Sequence, residues 1–248
     1  MKGVSKLNGV LTLILALALW ETTARAGLAN PLLFPAMSRI LTSFAALIGS
    51  GEIPAQILTS LRRAAAGYFL AAAVFIPLGV AMGLFDRVYR ALAIVIEALR
   101  PIPPPVVIPV AMLFFGLDDA MKIFVIFFSC AWPILLNTID GVRSVDRVLV
   151  DTARTFGLAR VKTILHVVLP AAAPQIATGL RISLSITLIL VVISEMVGSS
   201  DGIGYFILNA QRRLKIDQMY AGMIALALLG YILNQAFLFL SKRLLHGR

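Results

Sequence analysis

The sequence predicts an all-α membrane protein with six transmembrane helices, and three observations point to this class. Of the 248 residues, 60% are hydrophobic, and the mean hydropathy is +0.94, far above that of soluble domains. The apolar residues recur in runs of about 20, the length that crosses a bilayer as a helix. Lys and Arg lie mostly at the ends of these runs, so the net charge of +10 indicates loops beside membrane lipids rather than a surface for nucleic acid.

Residues 7–24 are the first predicted span. The run Ala24-Arg25-Ala26 imitates the cleavage site of a signal peptide. Glu21 and Arg25 suit such a site poorly, so we expect the helix to be retained.

The next segment, residues 25–56, is interrupted by Pro and Gly and is predicted to be external and irregular. It contains one short predicted helix at 36–48. Together with the first span it makes an N-terminal unit, residues 1–57.

The second span is predicted at residues 58–84, with Pro77 as a kink inside it. Arg62 and Arg63 lie near its outer end, where arginines reach the membrane surface or pair with other groups.

A proline cluster interrupts the third span, which follows a cytoplasmic stretch at residues 86–100. Its sequence is Arg100-Pro101-Ile102-Pro103-Pro104-Pro105, and no regular helix continues through it. We expect a helix before it, a non-helical elbow, and a short helix that ends at Gly116. Such an elbow either lines the translocation path, where water or protein satisfies its backbone, or ends a helix at the cytoplasmic interface.

Three further spans are predicted at residues 121–140, 171–196 and 219–241, with an external loop at 197–218 before the last. Two ionisable residues lie in the fifth of the six spans. Arg181, deep in the membrane, either attracts an anionic substrate or pairs with Asp140 or a helix carboxyl end, and we favour the structural role. Glu195 belongs either to a gate or binding-protein contact or to a solvated helix end.

The segment 148–170 is the polar interval around which the second half is organised. It is basic and rich in helix-forming residues, with breakers only at Gly157 and Pro170. Gly157 predicts an elbow between two short helices, and Pro170 predicts the end of the second and the first turn of the next helix. The segment is either a docking knob or a basic loop held inside by its charge.

Its spacing resembles the cytoplasmic loop of ATP-binding-cassette importer permeases, whose pattern is E-A-A, three residues, Gly, nine residues, I-x-L-P. Asp and Thr replace the first two letters here, while the Gly and Leu-Pro anchors keep their spacing. The matching residues are Asp151, Thr152, Ala153, Gly157, Val167, Leu169 and Pro170. The run Arg100–Pro104 further resembles the R-P-I-P-P segment of the nitrate/sulfonate/taurine subgroup. The run that begins at Ser194-Glu195 also resembles this subgroup.

This resemblance implies the type I importer fold, a five-helix core with one extra N-terminal helix. The core is residues 58–241, with a cytoplasmic docking loop at 141–170 and a tail at 242–248. The implied partners are two ATP-binding subunits, a second permease copy, a periplasmic substrate-binding protein and the lipids of a bacterial inner membrane. ATP–Mg would bind to the partner ATPase, and this chain would need no cofactor.

Charge counting predicts the orientation. Of the 22 Lys and Arg residues, three lie within spans, namely Arg62, Arg63 and Arg181. Six lie in outer segments: Arg25, Arg39, Lys122, Arg212, Arg213 and Lys215. The other thirteen fall inside if the N-terminus is cytoplasmic, so both termini and the docking loop are predicted to lie in the cytoplasm.

The sequence carries no pattern for nucleotide or enzyme chemistry. It lacks G-x-x-x-x-G-K-[ST], and no nucleophile elbow or carboxylate pair is present. His166 and His246 are far apart, and Cys130 is the single cysteine, so no metal site is expected. We expect a transport subunit for a small, anionic solute. A vitamin precursor or another small organic solute is the alternative substrate, and an ion-coupled secondary transporter is the alternative class.

Overall fold

The computed structural model describes residues 2–28, 30 and 32–245, and the regular secondary structure of these residues is helical. The helices, in chain order, are α1 (Lys2–Arg25), α2 (Met37–Gly49), α3 (Glu52–Leu84), α4 (Asp86–Leu99), α5 (Pro104–Phe115), α6 (Asp119–Arg143), α7 (Arg147–Thr155), α8 (Arg160–Thr163), α9 (Leu169–Gly198), α10 (Ile203–Arg212) and α11 (Ile216–Leu245). A π-helical turn, Ile164–Val168, joins α8 to α9.

Four helices in the described part of the chain are long and apolar enough to cross a membrane. They are α3, α6, α11 and the continuous helix from Arg160 to Gly198. The bent pair α4 and α5 makes a fifth if it counts as one span. The first predicted span coincides with α1, but several of its side chains lie outside the described residues, so its crossing stays a prediction. The last residues of the predicted tail, 246–248, also lie outside them.

The chain divides into two compact units. The first consists of Met1–Thr59 and Ser200–Leu229. In it, the indole of Trp20 on α1 stacks on the ring of Phe34 at 4.1 Å and donates a hydrogen bond to the carbonyl of Pro35 at 3.0 Å. The carboxylate of Glu21 accepts the backbone N–H of Ser38 at 3.0 Å. Since α2 begins after Ala36, which has no capping side chain, Glu21 supplies the missing cap.

The second unit consists of Ser60–Ser199 and Gly230–Arg248. In it, α3 lies so close to α6 that no methyl group would fit at three glycines. An added Cβ would lie 2.7 Å from an α6 side chain at each, pairing Gly67 with Ile126, Gly79 with Thr138 and Gly83 with Val142. From one pair to the next, the residue numbers increase in both helices, so α3 and α6 run parallel.

A second, neighbouring face of α6 is packed as closely against α9. A Cβ at Gly179 would lie 2.7 Å from the carbonyl oxygen of Pro133, and one at Gly141 would lie 2.9 Å from Gln175. The numbers run in opposite senses, so α6 and α9 are antiparallel. Helix α6 is therefore the central helix of this unit, with backbones pressed against it on two sides.

Two predicted helix ends are wrong, each because of a proline. The second span begins at Glu52 rather than at 58, since Pro54 lies in the first turn of α3, where its missing N–H has no helical partner to lose. The helix after Gly157 does not end at Pro170, although Pro170 lies in the first turn of α9 as predicted. It passes through the π-helical turn, in which Leu169 donates its N–H to the carbonyl of Ile164, and this wider turn precedes the proline.

The predicted external loop 197–218 is not irregular throughout, because it contains α10. The buried side chains of α10 include Ile203, Phe206 and Ile207, at the 3.6-residue spacing of an amphipathic helix. Phe206 and Ile207 pack over Gly222. The elbow of the third span is present but shorter than predicted, since Pro104 and Pro105 already form the first turn of α5.

Candidate docking segment and translocation elements

The predicted docking segment folds as two helical pieces joined at Gly157. Its first piece, α7, begins where the side chain of Asp146 accepts the N–H of Val148 at 2.9 Å, an N-cap contact. Ala153 is the buried residue of α7. A small side chain at this position lets the helix lie against the rest of the unit.

Gly157 ends α7 in a left-handed conformation, with φ of +72°. Its N–H bonds to the carbonyl of Arg154 at 2.9 Å, and the N–H of Leu158 bonds to the carbonyl of Ala153 at 3.0 Å. This pair of bonds is a Schellman motif, which satisfies carbonyls at the helix end. The elbow predicted from the sequence therefore has the geometry that favours glycine.

The other predicted docking residues occupy the same segment. Asp151 and Thr152 are exposed on α7. Val167 lies in the π-helical turn, and Leu169 and Pro170 begin α9, all three half-buried. The structure thus places the seven matched positions in one continuous segment, with Asp151 and Thr152 on the exposed side of α7 and Ala153 on its buried side.

Large apolar side chains on this segment are exposed. We call the exposed residues Val148, Leu149, Phe156, Val161 and Leu165 the docking surface. Phe156, beside the elbow, is 79% exposed. Val148, Leu149 and Phe156 lie outside the apolar spans, whereas Val161 and Leu165 belong to the long helix from Arg160 to Gly198. Exposed apolar side chains outside the spans are typical of a surface that binds another protein. Sequence reasoning missed these residues, although a phenylalanine directly before Gly157 was a visible signal.

The proline elbow lies at residues 100–103, where the axes of α4 and α5 meet at 97°. Pro101 and Pro103 are exposed, while Ile102 and Pro104 are half-buried. Helix α5 has 12 residues, about 18 Å of rise at 1.5 Å per residue, which is shorter than the hydrocarbon core. The elbow therefore breaks the span sharply, and its place on the translocation path stays a prediction.

Arg181 forms no ion pair with Asp140 among the residues that the structure describes. It is exposed, and its Nε lies 3.3 Å from Oδ1 of Asn234 on α11. The reason is register: Gly141 packs against Gln175, so Asp140 lies about 8 Å nearer the docking segment than Arg181 at 1.5 Å per residue. The predicted pairing with Asp140 is wrong.

Glu195 is not a solvated helix end, because its side chain is fully buried. Its Oε1 lies 2.9 Å from Nη1 of Arg63, and the hydroxyl of Ser60 donates to the carboxylate at 2.8 Å. Arg63 is also buried, and its Nε lies 2.7 Å from Oδ1 of the more exposed Asp119. We call these four residues the charge cluster. It joins α3, α6 and α9.

Ser60 and Asp119 are members of this cluster that sequence reasoning missed. The available signal was that Arg63, Asp119 and Glu195 each lie near an outer end of a predicted span. Lys122 is buried nearby and donates to the carbonyl of Leu117 at 2.8 Å. A buried charge needs such partners, because desolvation alone would penalise it heavily.

A cavity of about 920 Å³ opens between α3, α9 and α11 within the second unit. Alanine, leucine and phenylalanine side chains form most of its wall, and Tyr68 and Thr187 are among the few polar residues there. Leu169 and Pro170, at the end of the docking segment, also reach it. The lining contains no charged side chain, so an anionic solute would find no counter-ion in it.

The described residues contain no group of three or more His, Cys, Asp and Glu side chains that could hold a metal ion. His166 is exposed, with Nδ1 3.0 Å from the carbonyl of Lys162. His246 lies outside the described residues, and Cys130 is buried.

Comparison with known proteins agrees with this architecture. Residues 73–246 match the family model described as binding-protein-dependent transport system inner membrane component. The chain is 32% identical to the taurine transport system permease protein TauC of Escherichia coli over 94% of this chain and 86% of that protein. It is 35% identical to the nitrate import permease protein NrtB of Leptolyngbya laminosa over 76% and 67% of the two chains.

The fold resembles that of a chain in the MetNI methionine ABC transporter. The TM-score is 0.62 at 19% identity, over 76% of this chain and 92% of that chain. This likeness supports the type I importer fold. The sequence relatives support the functional class, a permease of an ATP-binding-cassette importer. The chain therefore belongs to the family of inner membrane components of binding-protein-dependent transport systems, as a multi-pass permease subunit of an ATP-binding-cassette importer that works with an ATPase and a substrate-binding protein.

Proposed function

We propose that this permease imports a small anionic solute of the taurine, sulfonate or nitrate kind. Similarity to a taurine permease along 94% of the chain and to a nitrate permease along 76% of it supports this substrate class. Taurine and nitrate each carry an oxyanion group that is hydrated in water. The passage of such a group needs a path that replaces this water with polar groups.

The observation that carries the mechanism is the docking surface beside Gly157. Two of its exposed apolar side chains, Val148 and Leu149, lie on α7, a short helix that is capped at both ends, and Phe156 directly follows that helix. A partner can bind such a surface without the permease refolding first. We assign the ATPase as that partner, with the seven matched residues, Asp151, Thr152, Ala153, Gly157, Val167, Leu169 and Pro170, forming or shaping the contact.

The assembly would contain two copies of this chain and two ATPase subunits, with the substrate-binding protein outside. Exposed apolar side chains on α5, such as Leu113 and Phe114, are available to lipid or to the second copy. ATP–Mg would bind to the ATPase subunits, and this chain would contribute no nucleotide site. Both termini and the docking segment would face the cytoplasm.

Transport would proceed by alternating access. ATP binds the closed ATPase pair more tightly than the open pair, and this difference in affinity drives the change in the permease. The elbow residues Pro101, Ile102, Pro103 and Pro104 would lie on the path between the two copies, where freed carbonyls meet water or protein. Arg181, exposed on α9, is the candidate for an anion contact, and Glu195 is the candidate for a gate through the charge cluster.

Gly157→Val tests this proposal, with Gly49→Val as its matched control. Neither glycine has an atom within 4 Å of an added Cβ, but only Gly157 has a positive φ. A side chain in that conformation costs about 1–2 kcal/mol, and a β-branched one resists it further. This corresponds to a loss in ATPase affinity of roughly tenfold.

The measurement uses proteoliposomes with the ATPase and binding protein of the same system. Capture of the ATPase and ATP-driven uptake of labelled taurine and nitrate are recorded together. We expect Gly157→Val to lose both and Gly49→Val to retain both. Normal capture by Gly157→Val contradicts the docking role, and uptake of a solute without an oxyanion group in place of taurine and nitrate contradicts the substrate class.

A further inference from the structure

Two arginines, one just before the docking segment and one within it, contact the start of α4. Arg143, the last residue of α6, has its guanidinium carbon 3.9 Å from the ring centroid of Tyr89. Its Nη2 also lies 3.5 Å from Oδ1 of Asp86. Arg160, the first residue of α8, has its guanidinium carbon 4.9 Å from the ring centroid of Phe85. All three partners belong to the corner between α3 and α4.

The positions of these two arginines in the chain relate both of them to α7. Arg143 precedes α7 and Arg160 follows the elbow at Gly157, so the two flank the docking helix. Both are held to one corner by stacking on half-buried rings, the stronger kind of contact here. The ion pair with exposed Asp86 adds little by itself. A displacement of α7 therefore reaches the same corner from both of its ends.

Helix α4 is placed to carry such a displacement onward. Among its described residues none is buried, and it packs along one side through Val88, Tyr89, Leu92 and Ile96. It has 14 residues, about 21 Å of stiff helix at 1.5 Å per residue, and leads directly to the proline elbow. Helix α4 is thus held at its first turn and joined at its other end to a sharp bend.

The neighbouring helices cannot easily move in this way. Helices α3, α6 and α9 are packed backbone to backbone at their glycines and joined by the charge cluster. Separating them would break buried ion pairs and open close-packed contacts. A movement that starts at the docking segment therefore meets least resistance along α4.

We propose that Arg143 and Arg160 are positioning residues that transmit movement of the docking segment through α4 to the proline elbow and α5. The inference rests on the proposed function, because it takes ATPase binding at the docking segment as its input. It adds a route and named contacts by which the ATPase acts on the elbow.

The test records the accessibility of a cysteine placed at Ile102, in the elbow. The permease, assembled with its ATPase in proteoliposomes, is treated with a small thiol reagent with and without a non-hydrolysable ATP analogue. Cys130 is buried, and the chain without the added cysteine measures its background. We expect the labelling rate at residue 102 to change at least fivefold on nucleotide binding in the parent assembly.

The variant Arg143→Gln/Arg160→Gln removes both stacked cations. We expect it to capture the ATPase and hydrolyse ATP as the parent does, while the nucleotide-dependent change at residue 102 falls to less than twofold and uptake falls with it. The matched control is Arg87→Gln/Arg90→Gln, which removes the same charge from exposed positions of α4. This control should keep the full nucleotide-dependent change in the labelling rate at residue 102.

A second variant, Phe85→Leu/Tyr89→Leu, removes the rings and leaves the docking segment unaltered. It should reproduce the loss of response with normal ATPase capture. A full response in either variant, or no response in the parent assembly that has captured its ATPase, overturns the inference and leaves the docking proposal standing. Loss of capture in both variants also overturns it, since the contacts would then only shape the docking segment. Failure of the parent chain to capture the ATPase refutes the docking proposal itself.

Discussion

At the scale of single residues, the buried ion pair of Arg63 and Glu195 has a large desolvation cost that its neighbours must offset. Two ionised groups lose their hydration there, and their mutual attraction and the hydroxyl of Ser60 offset that loss. Removing one partner leaves a buried charge without compensation. Replacing both with apolar groups removes the penalty together with the attraction.

We therefore expect Glu195→Gln to destabilise the chain by about 3–5 kcal/mol. The double variant Arg63→Met/Glu195→Leu should recover most of this loss. Asp119→Asn is the control, because its more exposed carboxylate contributes about 0–1 kcal/mol. Thermal unfolding of the purified permease in detergent measures all three. A Glu195→Gln variant as stable as the Asp119→Asn variant would mean that the carboxylate is hydrated in the membrane.

The sequence shows where these charged residues are, but it does not show which residues they pair with. Arg62 and Arg63 are neighbours in the chain, yet Arg62 is exposed and Arg63 is buried. Successive helical residues point about 100° apart, and only the packing of α6 and α9 against α3 decides which arginine turns inward. Arg181 shows the same limit, because its predicted partner depended on the register between two helices. The docking residues were more predictable, since a local turn at Gly157 determines their arrangement.

At the scale of the elements, close contact between α3 and α6 is the property that glycine makes possible. A Cβ at Gly79 would lie 2.7 Å from the side chain of Thr138 and 3.1 Å from the carbonyl oxygen of Leu135. The second of these atoms belongs to the backbone and cannot turn aside. A side chain at this position must push the two helices apart.

Gly79→Leu should accordingly destabilise the permease by about 1–3 kcal/mol or more. Gly49→Leu is its control, because nothing lies within 4 Å of a Cβ there. The midpoint of thermal unfolding and the yield of monodisperse protein report the effect. Equal stability of the two variants would show that α3 and α6 are less closely packed than the structure has them.

The existence of the helices was easier to predict from the sequence than their junctions. Apolar runs of membrane length define α3, α6, α9 and α11, since hydrocarbon admits few other structures. Prolines predicted the helix ends poorly, because the effect of a proline depends on the local backbone. Pro104 begins a helix, and Pro170 continues one behind a π-helical turn. Helix α10 was missed because three glycines nearby resemble a loop, although its apolar spacing is helical.

At the scale of the whole molecule, helix α6 connects two regions of different chemistry. Asp119 of the charge cluster is its first residue, and Arg143, which leads into the docking segment, is its last. Its 25 residues rise about 37 Å at 1.5 Å per residue, more than the hydrocarbon core of a bilayer. The cluster and the docking segment must then face opposite sides of the membrane. The excess of Lys and Arg in the predicted inner segments predicts that the docking segment lies in the cytoplasm.

Cysteine labelling in intact cells tests this orientation. Leu117 and Thr155 are both exposed and lie beyond opposite ends of α6. A membrane-impermeant thiol reagent added outside should label Leu117→Cys and spare Thr155→Cys, while permeabilised cells should show both. Buried Cys130 gives the background. Labelling of Thr155→Cys alone in intact cells would reverse the orientation, and with it the ATPase would lose access to the docking surface. Because ATP is cytoplasmic, that single result would exclude the docking role however well the surface fits a partner.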